Sequence, residues 1–177
     1  MFKKKYGRMT LRAWLNAELE TTRPAVMLLG GALLMCGGIL VRACCGGPYE
    51  RMLELGIREK VLPVWLMTLL WTLSLFTIGC AAGFVLGFRV CGNDGEKYKG
   101  CMLFVLLAVL ELCWYPTFFG GGLLFLSVLE SIAILSFAVG TTVSFFRVSR
   151  FPGTLLLLHD FWLIYLLLLN CAIFFGA

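Results

Sequence analysis

The chain is poor in charge, in histidine and in proline. Of its 177 residues only 14% are charged, one is histidine and five are proline. Soluble domains carry about 25% charged residues. A chain this short that is 60% hydrophobic cannot cover its apolar content with a polar exterior. That excludes an ordinary soluble enzyme, a disordered chain and a small disulfide-stapled secreted domain. A single histidine leaves a His/Cys metal site short of ligands, and no structural metal is expected. No nucleophile–base pair or nucleotide-binding loop stands out, so the chain is not expected to be an enzyme. No stretch alternates polar and apolar residues as a membrane β-strand does.

What is abundant is long apolar sequence, at a mean hydropathy of +0.93. Five runs reach membrane length: 24–41, 61–88, 101–119, 122–146 and 151–175. Crossing about 30 Å of hydrocarbon takes about 17–25 apolar residues. The expected fold is an all-α membrane protein, a bundle of five transmembrane helices over 24–177. Before it lies a basic segment, 1–23, whose Met9, Leu11, Trp14, Leu15 and Leu19 suit either an amphipathic surface helix or a frayed tail. The first apolar run begins only at Pro24 and exceeds the usual 7–15-residue signal core, so cleavage as a signal peptide is not expected.

Charge predicts orientation. With five spans, the tail and the loops 89–100 and 147–150 share one side and hold eleven Lys and Arg; the other side holds four. Basic residues favour the cytoplasmic face, so the N-terminus is expected inside. The net charge of +5 is then a topology signal, and no nucleic-acid partner is needed to explain it. Phe119-Gly120-Gly121-Gly122 joins the third and fourth helices directly, which makes them antiparallel neighbours. Cys36, Cys80, Cys113 and Cys171 fall within spans and suit small packing positions, while Cys44 and Cys45 are expected in the first external loop.

Inside the spans lie Glu111, Glu130, His159 and Asp160. A charged side chain at mid-bilayer costs about 2.5–3.5 kcal/mol on insertion scales, so each needs a partner, a proton or water. Trp114 and Tyr115 follow Glu111 by three and four residues and share its face. Trp162, Leu166 and Asn170 recur at four-residue spacing on the last helix. Inward polar groups with aromatics between them suggest a ligand-filled or wet cavity; the alternative is plain helix-to-helix hydrogen bonding.

Several of these residues resemble a known pattern. Pro63-x-Trp65, then Trp71-Thr72-Leu73 and Gly79-x-Ala81-Ala82, resembles the second helix of the TspO/MBR (translocator protein) family. Glu111-x-x-Trp114-x-Pro116-x-Phe118-Phe119 is similar to that family's Asn-x-x-Trp-Ser/Thr-Pro-x-Phe-Phe signature. Glu130 falls where many members have an acid. Phe146-Arg147-Val148-Ser149-Arg150, with Trp162 eight residues before Asn170, is similar to the fifth helix. The resemblance runs in order over about 24–175 and looks like a divergent member of bacterial type.

The resemblance implies an often dimeric bundle in a bacterial cell membrane, with a cavity that binds tetrapyrroles. No cofactor is required; protoporphyrin IX or haem is the candidate ligand. Carried over by position, Trp65, Trp114, Trp162 and Leu166 line the cavity, and Glu111 stands in place of an asparagine. Tyr115, His159 and Asn170 join the candidate ligand-binding set. Arg51, Arg58 and Lys60 in the first external loop would meet the propionates. Three departures stand out: Glu111 is a titratable acid, Leu158-His159 replaces Pro-Tyr, and Leu166 replaces a small residue and narrows the pocket. The cholesterol-type Leu/Val-x-Tyr-x-Lys/Arg pattern is absent from the fifth helix.

The expected function is therefore a membrane receptor or carrier for porphyrin-like ligands. A second reading is proton- or ion-coupled transport through Glu111, Glu130, His159 and Asp160, against which the lack of an internal repeat counts. A third is an assembly subunit. Gly30, Gly31, Gly37 and Gly38 on the first helix, with Gly79, Gly83 and Gly87 on the second, would give it a small-residue face. The same glycines would serve a homodimer.

Overall fold

A computed structural model describes residues 22–45, 62–88 and 94–176. Among these are five helices long and apolar enough to cross a membrane. They are α1 (Pro24–Cys45), α2 (Val64–Gly87), α3 (Asp94–Tyr115), α4 (Leu124–Val148) and α5 (Arg150–Gly176). The expected boundaries shift in three places. α1 runs four residues further, so Cys44 and Cys45 belong to its last turn, not to a loop. α3 starts seven residues earlier: Asp94 and Glu96 occupy its first turn, where the helix dipole favours acids. Lys97 reaches back to the Leu86 and Phe88 carbonyls at the end of α2, and Glu96 pairs with Arg147 of α4 at 2.7 Å.

The third departure is at the other end of α3. Pro116 has no N–H to give the α-ladder, and Pro116–Gly120 continues α3 as a π-turn. The Gly121 N–H bonds the Pro116 carbonyl at 2.8 Å. Gly122 then takes φ 61°, a left-handed conformation that glycine adopts at no steric cost, and the chain reverses into α4. A single residue, Ser149, separates α4 from α5.

Around the bundle the neighbours run α1–α2–α5–α4–α3, and α3 touches α1 and α2 only lightly. α2 is the central helix. Met67, Trp71, Leu75, Ile78, Ala82 and Val85 recur every three or four residues and are all buried, one continuous face at the helical period. Leu69, Leu73 and Leu86 point away and are exposed, as lipid-facing positions are. α1 is peripheral and buries little beyond Gly31 and Gly38.

The glycines have a use inside the chain. A Cβ on Gly30 would lie 2.5 Å from the Gly79 carbonyl oxygen, and one on Gly83 would lie 2.5 Å from the Val26 oxygen. Gly31 and Gly38 face Phe76, Cys80, Trp71 and Leu75 of α2 in the same way. Gly30, Gly31, Gly79 and Gly83 thus bring α1 and α2 into backbone contact within one chain. Of the cysteines within spans, Cys80 is a buried packing residue as expected, whereas Cys36 and Cys113 face outward.

Candidate functional site

α2, α3, α4 and α5 present polar and aromatic side chains to a common interior. Glu111 is 1% exposed, because α3 repeats Leu107, Glu111, Trp114 and Phe118 on its inward face. Trp71, Glu111, Trp114, Ser131, Ile134, Leu163 and Leu166 enclose a cavity of about 10 Å³, room for about one water molecule. Neither Glu111 oxygen has a hydrogen-bond partner among the described residues, and the indole N–H groups of Trp71 and Trp114 are likewise unpaired. A buried polar atom left unpaired costs about 1–3 kcal/mol. Two donors and a carboxyl group on residues that line one small hollow are an incomplete hydrogen-bond set.

Beside the cavity runs a line of polar groups drawn from three helices. Ser74 Oγ of α2 and His159 Nδ1 of α5 are hydrogen-bonded at 2.5 Å. On the opposite side of the ring, His159 Nε2 lies 3.6 Å from Glu111 Oε2, close enough for charge to matter but too long for a hydrogen bond. Asp160 points elsewhere and accepts a bond from Thr142 Oγ1 at 2.8 Å. Asn170 closes a separate α4–α5 tie: its Nδ2 donates to Ser131 Oγ at 2.8 Å, and Ser127 Oγ donates to its Oδ1 at 3.4 Å.

An aromatic cluster continues the site toward the Gly120 end. Tyr115 stacks on Trp71 at 4.9 Å between centroids, and Trp114 stacks on Phe118 at 5.4 Å. Phe119 meets Tyr115, Trp114 and Phe118. The Trp71–Tyr115 contact spans the α2–α3 seam. Arg42, on the last turn of α1, lies near Tyr115, whose hydroxyl has no hydrogen-bond partner among the described residues.

The structure brings together Glu111, Trp114, Tyr115, His159 and Leu166 of the sequence-predicted set. Asn170 serves the α4–α5 tie and not the cavity wall. Trp162 is half-buried and stacks on Tyr165 at 5.4 Å; Leu163, one residue on, takes the inward direction instead. Trp65 is 68% exposed, so its expected place in the lining is corrected to the outer surface. The reason is angular: at about 100° per residue, six residues put Trp71 about 120° around the helix from Trp65, and only one of them can face inward. Glu130 lies half-buried near Thr117 and is not among the residues lining the cavity. Arg51, Arg58 and Lys60 lie outside the described residues, as do residues 1–21. Sequence reasoning missed Trp71, Ser74, Ser131 and Leu163. The seven-residue spacing from Met67 through Ser74 to Ala81 was the available sign for α2.

The comparisons with known proteins bear on the same segment. The model of the TspO/MBR family matches residues 54–175. Over 111 residues the chain is 31% identical to a protein called tryptophan-rich protein TspO from Chlorobaculum tepidum. That match covers 63% of this chain and 69% of the relative. No solved structure is a significant match to the chain.

Proposed function

The chain belongs to the TspO/MBR family and is an integral, multi-pass membrane protein, and from that premise we propose that it is a receptor or carrier for porphyrin-like amphipathic ligands. Its binding place is the interior between Trp71, Glu111 and Trp114. One observation carries the reading: Trp71, Trp114 and Glu111 line a shared hollow, and their buried indole N–H and carboxyl groups have no partners among the described residues. A planar macrocycle gains stacking from such aromatics, and pockets of this kind orient a ligand with a few convergent polar groups. The hollow as it stands takes a water, so binding a macrocycle requires the α2–α3 seam to part. The light contact of α3 with α1 and α2 supports that route. The N-terminus is inside by the bias of Lys and Arg, and the bacterial relative supports a bacterial membrane.

The test is titration of the purified protein with protoporphyrin IX while tryptophan fluorescence is followed. Saturable quenching is expected, weakened in Trp71→Ala and Trp114→Ala and unchanged in Trp65→Ala. Absence of saturation, or equal loss in all three variants, overturns the reading.

A further inference from the structure

We infer that Glu111 makes this cavity selective for organic cations, with the proton held by the Glu111–His159 pair released when a protonated nitrogen takes its place. The inference rests on the cavity being the ligand site and adds the charge of the ligand it prefers.

Charge balance is the starting point. Glu111 is fully buried with both oxygens unbonded among the described residues. An ionised carboxylate in such surroundings needs a partner, a proton or water. Among the described residues beside it there is no lysine or arginine. From α2 come Trp71 and Ser74, from α4 Ser131 and Ile134, and from α5 Leu163, Leu166 and His159. Asp160, next to His159 in the chain, bonds Thr142. Tyr115, next in reach on α3, lies by Arg42 at the Gly120 end. The imidazole 3.6 Å away is thus the one basic side chain facing Glu111 among the described residues. Its other nitrogen is held by Ser74, which fixes the ring with Nε2 toward the carboxyl group. A single proton, carried by one or other of these two groups, balances the empty site.

A cation does the same work as that proton. The walls beside Glu111 are the indoles of Trp71 and Trp114, with the Tyr115 ring stacked on Trp71. Aromatic faces attract a desolvated cation, and the carboxylate adds direct Coulomb attraction. Carboxylate and aromatic faces together describe a receptor for a protonated amine on a flat apolar body. The exchange balances: the bound ammonium keeps its own proton and pairs with the Glu111 carboxylate, while the proton of the Glu111–His159 pair leaves to water. A neutral ligand of the same shape releases none.

Calorimetric titration of the full chain in lipid nanodiscs tests this, with 9-aminoacridine as the cationic probe and acridine as its neutral counterpart near neutral pH. Runs in two buffers of different ionisation enthalpy count the protons released. The wild type should bind the cation about tenfold more tightly, equivalent to about 1.4 kcal/mol, and release about one proton per cation bound. In Glu111→Gln the preference and the release should both vanish. Equal affinity for the two probes, or cation binding without proton release, refutes the inference on wild-type protein alone, whatever the variant's folding. Retained preference in a folded Glu111→Gln refutes it as well. Protoporphyrin IX, titrated in parallel, separates the two readings. If it binds and 9-aminoacridine does not, only the cation selectivity falls; if neither binds, the cavity itself is misassigned and both fall.

Discussion

A side chain at Gly83 has nowhere to go. Its Cβ would meet the Val26 carbonyl oxygen at 2.5 Å and the Met27 Cα at 2.8 Å, and both are backbone atoms of α1 that no rotamer change can move. Ordinary contact is about 3.5–4.0 Å, so Gly83→Val forces α1 and α2 about 1 Å apart. Overpacking of this kind costs about 1–3 kcal/mol, and the small helix-propensity gain of valine over glycine, about 0.4 kcal/mol, offsets little of it. At about 2–4 °C per kcal/mol, the melting midpoint should fall by about 1–10 °C. Gly37→Val on α1 is the control, because its Cβ would meet only Leu112 Cδ1, at 3.9 Å. Circular dichroism melts in detergent, with light scattering for mass, give the comparison. Equal midpoints for the two variants would refute the packing argument. A Gly83→Val protein that keeps its midpoint but loses half its mass would restore the glycine run to a dimer seam.

Three further outcomes follow from the side-chain ties between helices. Thr142→Val removes the donor to Asp160 Oδ2 and should lower stability by about 1–3 kcal/mol, whereas Thr142→Ser should restore most of it; matching melts for the two variants would count against the tie. Asn170→Leu should cost less, about 0.6 kcal/mol, the average for interhelical polar contacts in membranes. A loss of several kcal/mol there would show that the Ser127–Ser131–Asn170 set does more than join α4 to α5. Arg147→Ala breaks a pair whose arginine is largely exposed and should shift the midpoint little, since exposed pairs contribute about 0–1 kcal/mol; a marked drop would mean that the Glu96–Arg147 contact anchors the start of α3.

The five spans were legible because bilayer thickness imposes a length on apolar runs, and α2, α4 and α5 sit within three residues of their expected limits. The start of α3 was not legible by the same measure. Residues 94–100 are polar, and what makes them helical is an acidic first turn and the Lys97 contacts to α2, neither of which hydropathy registers. The inward placement of Glu111 and Trp114 followed from spacing on a single helix. Choosing between Trp65 and Trp71 required the phase of α2, and that phase is set by where α1 and α5 pack against it. The glycines show the same difficulty: a small-residue run reports that some helix comes close, and only the three-dimensional arrangement identifies α1 as that helix.

The lengths of the connections bear on how the interior can be reached. Three residues tie α3 to α4 and one ties α4 to α5, so these helices are joined as a single slab, like pages stitched along one edge. α1 and α2, locked through their backbones, form a second leaf whose spine is the contact of α2 with α5. The free edge is the line where Trp71 lies on Tyr115, and any excursion that enlarges the hollow must begin by lifting one ring off the other.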